Sequence, residues 1–146
     1  TILMFECSRG LRYELNNHSN KLSEPLRNLL EQGRDCSYRD YLAACQLGVR
    51  CRALIAPEFD RVDVLLTPSA AGPAPLFGVP TDLLFQRLWT ILHLPCTTLP
   101  AYSSDAGLPV GVQLVAGLGR DTQLLAIARW AEACLGEANQ IPRATF

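Results

Sequence analysis

The stretch GLPVGVQLVAGLGRDTQLLAIARWAEACLG, Gly107 to Gly136, constrains the fold more than any other part of the chain. Val110 to Ala116 alternates like a strand, and a glycine-rich corner at Gly117-Leu118-Gly119 follows it. Asp121 is a typical N-cap residue, so the last helix is predicted to begin just after it. The apolar positions of that helix recur at helical spacing: Leu124, Ile127, Ala128, Ala131 and Leu135. A strand, a tight corner and an amphipathic helix are therefore predicted to form one packing unit.

The rest of the chain supplies two further strands, a Pro/Gly-rich loop and several helices. DVLLT, Asp63 to Thr67, is predicted to be a buried strand, and Cys96 to Leu99 is the other strand. The loop runs from Ser69 to Pro80, where prolines interrupt any helix or ladder. Four helices are predicted. One lies within Ile2–Leu15, and a second runs from an N-cap at Ser23 to a C-cap at Gly33. A third begins at Ser37, where Asp40 completes a capping-box-like pair, and a fourth covers Leu83–Leu94 after a Thr81-Asp82 cap.

About three short strands interleaved with four or five helices predict an α/β fold. We treat residues 1–146 as a single unit, since no internal repeat suggests two. Few strands for this length, and a start partway into a helical pattern, suggest a fragment of a larger sheet protein. The alternative is a small α+β domain that is complete as it stands.

Composition excludes several classes of function. The chain has 13 basic and 14 acidic residues, scattered along the sequence without a basic stripe, so we expect no nucleic-acid binding. No apolar run is long enough to span a bilayer, and the opening residues do not form a signal peptide. Six cysteines form no CxxC pair and are expected to be reduced, core-forming thiols. We therefore expect a cytoplasmic protein without membrane contact.

The sequence argues against a dinucleotide site and against a nucleophilic cysteine. Gly117-Leu118-Gly119 follows a strand as a dinucleotide fingerprint would, but Asp121 brings a carboxylate to the helix N-terminus, where it would repel a pyrophosphate. Cys96 and His93 are separated by Pro95, so they need not share a face, and a cysteine entering a strand is more often a core residue than a nucleophile. Only two histidines exist, without metal-ligand spacing, so we expect no metal and no cofactor.

A serine–lysine hydrolase pair is also rejected. Ser103-Ser104 are the only adjacent serines and Lys21 is the only lysine. The serines lack the glycine-rich surround that would direct backbone N–H groups to an oxyanion. Lys21 follows a solvated Asn-rich loop and not a desolvated strand end, so it is expected to be a surface residue. No residue of this chain is therefore assigned a catalytic role.

From about Leu22 to Gly136 the order of elements resembles the C-terminal third of the amidase signature family. The resemblance rests on a helical pair, LSEPLRNLLEQGRDCSYRDYLAAC, then DVLLTP, then RLWTILHLPCTTLPA and GLPVGVQLV with its helix. It implies the C-terminal part of a large mixed sheet flanked by helices. The serine–cis-serine pair and the lysine that define the family have no counterpart here. The implied parent enzyme is a serine hydrolase that cleaves carboxamide C–N bonds of small-molecule amides.

The resemblance also suggests three substrate-binding residues. Thr67, at the end of DVLLT, and the helix around Trp89 would line the substrate entry, and Asp121 corresponds to a position that recognises an amino group in some amidotransferase members. The ordinary structural alternatives are helix capping for Asp121 and core packing for Trp89. The implied contacts are with the missing N-terminal part or with a second copy. The rival hypothesis is a non-catalytic interaction module that keeps only this packing unit.

Overall fold

The computed structural model describes residues 1–80 and 82–139. These residues form six α-helices, α1 to α6, and three strands, β1 to β3. The helices are Ile2–Gly10, Arg12–Asn17, Glu24–Asp35, Tyr38–Ile55, Leu84–Leu92 and Asp121–Asn139, and the strands are Leu65–Pro68, Cys96–Ser103 and Pro109–Val115. Short 3₁₀ turns lie at Ser19–Lys21 and Ala56–Asp60. The mixed helix-and-strand fold predicted from sequence is confirmed.

The fold divides into two compact units, Thr1–Cys51 and Arg52–Phe146. The expectation that residues 1–146 act as a single unit stays a prediction. The predicted cap residue Thr81 lies outside the described residues, while the Asp82 carboxylate accepts the Leu84 N–H at 2.9 Å just before α5. Among the described residues, none of the helices combines the length and apolarity that crossing a bilayer requires.

The first unit is a helical cluster in which α1 packs on α3. The predicted C-cap at Gly33 is wrong, because α3 continues to Asp35. Gly33 instead allows close approach, since a Cβ there would collide with the Met4 backbone. The guanidinium of Arg9 fixes the same contact: it lies 3.2 Å from the centre of the Phe5 ring and donates to the Gly33 carbonyl at 3.0 Å.

The start of α4 follows the sequence prediction. Ser37 Oγ accepts the Asp40 N–H at 3.1 Å and donates to the Asp40 carboxylate at 2.7 Å, which is the capping-box-like pair. One turn later the Tyr41 ring stacks on Phe5 with centroids 4.2 Å apart. Tyr41 Oη also donates to a Glu6 carboxylate oxygen at 2.9 Å, so a ring stack and a hydrogen bond hold α4 on α1.

The second unit is built on an antiparallel sheet in the order β1-β3-β2. The central strand β3 pairs Gln113 with Thr67 on one side and with Thr98 on the other. α6 covers one face of this sheet, where its predicted apolar stripe packs on the strands. The buried members of that core are Leu99, Leu114, Ala116, Leu124 and Ala128, with Val64, Val112, Ile127, Ala131 and Leu135 partly buried against it.

Two expectations about burial are wrong. β1 is not a buried strand: it pairs only with β3 among the described residues, and Leu66 is 66% exposed. The cysteines are free, as expected, but none of them is a buried core residue, and Cys96 and Cys134 are exposed. Cys96 begins the other edge strand, and Cys134 lies off the buried stripe of α6. In both cases the position within the sheet or helix overrides the usual tendency of thiols to be buried.

Gly111 is where β3 meets its neighbours most closely. A Cβ at this position would lie 2.7 Å from Ser69 Oγ and 2.8 Å from Thr98 Cγ2. The Ser69 N–H and hydroxyl both donate to the Gly111 carbonyl, at 3.3 and 2.9 Å. The second glycine of GLPVG is therefore a packing requirement of the sheet.

We expect Gly111→Ala to lower the free energy of unfolding by about 1–3 kcal/mol, because the added methyl group must displace a neighbouring side chain. Chemical denaturation followed by circular dichroism measures the change. Gly72→Ala is the matched control, since a Cβ at Gly72 meets nothing within 4 Å. Equal losses for the two variants would contradict the packing account.

The contact between Tyr41 and Glu6 predicts a pH dependence. The hydrogen bond to Glu6, followed by the one to Cys45, raises the pKa of Tyr41 to about 12. Because the folded pKa lies above the ordinary value of 10.0, this stabilisation is fully present below pH 10 and is lost as the pH rises through about 12. Ultraviolet difference titration should show one tyrosine that ionises late, and Glu6→Gln should bring its pKa down. A Tyr41 titration that Glu6→Gln leaves unchanged would contradict this assignment.

Candidate functional site

A cleft of about 430 Å³ opens at the end of the sheet where β1 finishes and β3 begins. β1 supplies Thr67 to this cleft, the following loop supplies Ala70 to Gly72, and α5 supplies Phe85. The other lining residues come from the ends of the strands: Leu66, Pro68, Tyr102, Val110, Gly111 and Val112. The wall is thus mostly apolar, with few polar groups, as is usual for a small-molecule site.

Hydrogen bonds through Ser69 hold the loop and α5 at the cleft. The Gln86 side-chain nitrogen donates to the Ser69 carbonyl at 2.6 Å, while the Ser69 hydroxyl donates to the Gly111 carbonyl. α5 is therefore fixed to the end of β1, and β1 to β3. The cleft is thus lined by strands of the sheet, by α5 and by the start of the Pro/Gly-rich loop, with Ser69 linking the loop to β3 and to α5.

Four buried side-chain atoms on Thr67, on its cross-strand neighbour and on α5 have no hydrogen-bond partner in the described part of the chain. Thr67 Oγ1, Gln113 Oε1, Gln86 Oε1 and Trp89 Nε1 are buried and form no hydrogen bond with any described residue. Thr67 and Gln113 are direct cross-strand neighbours, so their side chains share one face of the sheet. Each buried polar atom left unpaired costs about 1–3 kcal/mol, so this arrangement is unfavourable unless another group satisfies it.

The three predicted substrate-binding residues do not come together. Thr67 lines the cleft and α5 borders it, but Trp89 is buried, 8% exposed, and does not line it. Asp121 lies elsewhere: the first turn of α6 is held near the start of β1 by a 2.8 Å hydrogen bond from Gln123 to Asp63, and α6 packs on the face opposite Thr67. The role of each residue in substrate binding stays a prediction.

The predicted N-cap at Asp121 is wrong by one position. Leu124 donates the first helical N–H to the Arg120 carbonyl at 2.9 Å, which makes Arg120 the N-cap and Asp121 the first helical residue. Asp121 is exposed, and its carboxylate bonds no described residue. The Arg120 side chain donates to the Phe59 carbonyl at 2.7 Å and so holds the turn before the helix. Asp121 can stabilise α6 only through the attraction between its negative charge and the positive end of the helix dipole.

The sites rejected from sequence have ordinary structural roles. Ser104 belongs to the hairpin turn, where its hydroxyl accepts the Leu108 N–H at 3.2 Å and Gly107 adopts a positive φ of 76°. His93 ends α5 in the left-handed region with φ 58°, and both His93 and Cys96 are exposed. Lys21 lies in an exposed 3₁₀ turn. The described residues contain no cluster of three or more His, Cys, Asp or Glu that could hold a metal.

Sequence reasoning missed three residues at the cleft. Phe85 and Tyr102 line it, and Gln113 lies beside it on β3. A signal for Gln113 was present, because it is the only polar residue in the apolar run VGVQLV. The positions of Phe85 and Tyr102 depend on how α5 and the end of β2 meet the loop, which no local pattern encodes.

Comparisons with known proteins agree with this architecture. The model of the Amidase family matches residues 8–125. One component of the glutamyl-tRNA(Gln) amidotransferase of Synechococcus sp. (strain CC9902) is 36% identical over 105 residues, which cover 64% of this chain and 21% of that protein. A crystal structure described as an amidase matches with a TM-score of 0.85 and 27% identity, covering 91% of this chain and 33% of that one.

A third match is a bacterial aryl acylamidase of the amidase signature enzymes, with a TM-score of 0.61 and 25% identity over 94% of this chain and 31% of that chain. The chain thus spans about a fifth of the length of the curated relative and a third of the length of the solved structures. With a family match over most of its residues and the same fold, this chain belongs to the Amidase family.

Proposed function

We propose that this chain is the C-terminal part of an amidase-type serine hydrolase that cleaves carboxamide C–N bonds, and that the nucleophilic serine and its base belong to another part of the enzyme. The family match over residues 8–125 is the observation that carries the proposal. In such an enzyme a serine attacks the amide carbonyl, the amine leaves, and water hydrolyses the acyl-enzyme. The contribution of this chain is to shape the substrate site.

The cleft beside Thr67 is our candidate for the part of that site that holds the acyl group of a small-molecule amide. An apolar wall suits an acyl chain, and the unpaired Thr67 hydroxyl supplies a donor or acceptor at its edge. Trp89 is a buried residue of α5, the helix that supplies Phe85 to the cleft, and we propose that it supports the cleft from the core. Asp121 would act at a separate place, as an exposed carboxylate suited to an amino group.

The proposed partner of this chain is the catalytic part of the enzyme. β1 and β2 each pair with β3 alone among the described residues, so each leaves one edge open to another strand. Exposed apolar side chains on α5, Leu84 at 65% and Leu88 at 49%, favour association as well. In the absence of that partner the chain is expected to self-associate. Six free thiols support a reducing, cytoplasmic setting.

The isolated chain is expected to show no amide turnover, because it contains no activated serine. A chimera in which this chain replaces the matching third of the solved amidase should hydrolyse simple amides. Product release by both proteins is measured on a panel of amides, with Ser103→Ala and Lys21→Ala of the isolated chain as controls. Turnover by the isolated chain that either substitution abolishes would contradict our rejection of the pair. A chimera that melts cooperatively but stays inactive would favour the interaction module.

Thr67→Val separates substrate binding from folding. The variant removes a hydroxyl that bonds no described residue, so the melting temperature should change little or rise. In the active chimera the same change should raise KM about two- to tenfold, the value of one hydrogen bond of roughly 0.5–1.5 kcal/mol. Thr97→Val, on the other face of the same sheet, is the control and should leave KM unchanged. An unchanged KM for Thr67→Val would remove Thr67 from the substrate site.

A further inference from the structure

We propose that a second cavity, at the opposite end of the sheet from the cleft, binds a small organic carboxylate. This cavity has a volume of about 370 Å³ and lies where β3 ends and the chain turns into α6. Its polar lining is Arg52, Asp60 and Arg120, and the apolar lining includes Phe59, Leu92 and Leu94. The proposal concerns this chain alone and does not depend on the proposed amidase function.

Two guanidinium groups are fixed at the wall of this cavity. Arg52 Nη1 donates to the Ile91 carbonyl at 2.7 Å, and Arg120 Nη1 donates to the Phe59 carbonyl at the same distance. Each of these bonds uses only part of the guanidinium, which has further N–H donors in a planar fork. A carboxylate is the group that such a fork binds best, through two parallel hydrogen bonds. Because one nitrogen of each guanidinium is held by a backbone carbonyl, the movement of its remaining donors is restricted.

The charge at the cavity is positive and only weakly compensated. The lining contains two arginines and one aspartate, so its formal charge is +1. Asp60 Oδ1 lies 3.6 Å from Arg120 Nη2, and its side chain is 78% exposed. An exposed pair of this kind contributes little, about 0–1 kcal/mol, so the Asp60 side chain can turn into water when an anion binds.

The remaining lining favours an anion with an apolar body over an inorganic ion. Leu92 and Leu94 come from the end of α5 and the residues after it, and Ile55 and Pro57 come from the end of α4 and the turn that follows. Phe59 packs closely on Gly117: a Cβ added at Gly117 would lie 3.2 Å from the Phe59 ring. The volume is in the range of small-ligand sites. A cation such as an amine would face the two guanidinium groups and be repelled.

The test compares three ligands that share a phenyl group on a four-carbon chain and differ in the terminal group: 4-phenylbutanoate, 4-phenylbutanamide and 4-phenylbutylamine. Isothermal titration calorimetry on the 146-residue chain should show the carboxylate binding at least tenfold more tightly than the amide, with no binding of the amine. The affinity for the carboxylate should fall as salt is added, since the contact is between charges. No binding of the carboxylate, or equal binding of carboxylate and amide, would overturn the proposal.

Variants then locate the site. Arg52→Gln and Arg120→Gln should each weaken carboxylate binding at least tenfold, whereas Arg129→Gln, an identical charge change on an exposed position of α6, should not. Because Arg120 also fixes the turn before α6, Arg120→Lys provides a variant that keeps the charge and should retain part of the affinity. Equal weakening by Arg129→Gln would mean that only net charge matters and would overturn the assignment to this cavity. The ligand series on the unmodified chain stands as a test even if a variant fails to fold.

Discussion

The sheet of the second unit depends on the pairing of β3 with a strand on each side. β3 supplies the hydrogen-bond partners of both β1 and β2, and its alternating side chains place Leu114 under α6 and Gln113 on the other face. Gly111 permits this arrangement, because any side chain there would push Ser69 and Thr98 away. A single residue without a Cβ thus sets the distance between three strands and, through Ser69 and Gln86, the position of α5.

Among the described residues, the sheet and α5 leave backbone edges and buried polar atoms without hydrogen-bond partners, which is unfavourable for the stability of the second unit. Two edges are open among the described strands, and four buried polar atoms have no partner in the described part of the chain. Native domains rarely leave such groups unsatisfied. The unpaired atoms gather near Thr67 and α5, on the side where the cleft opens. The unpaired polar atoms and the cleft therefore point to the same surface, which is the one we propose for the acyl group of the substrate.

Sequence patterns predicted the elements that depend on local forces. The alternation in β3, the apolar stripe of α6 and the Ser37–Asp40 pair are set by residues a few positions apart, and the structure confirms them. The errors concern distant partners. Gly33 lies inside α3, where the Met4 backbone of another helix leaves no room for a Cβ. Arg120 precedes α6 as its N-cap, and its side chain is held by the distant Phe59 carbonyl. The exposure of Leu66 and Cys96 follows from strand order, which no single strand encodes.

The two ends of the sheet differ for a reason that is visible in the residues following each strand. β1 leads into a loop rich in proline and glycine, which brings few charges, so the cleft near Thr67 is neutral. β3 leads through Gly117 and Gly119 to Arg120, and α4 ends close to Arg52, so the cavity there is lined by guanidinium groups. A neutral acyl group and a carboxylate anion would consequently be sorted to opposite ends of one sheet. The proposed acyl site and the proposed carboxylate site therefore differ in charge because different residues follow the two strands, and they lie at opposite ends of one sheet.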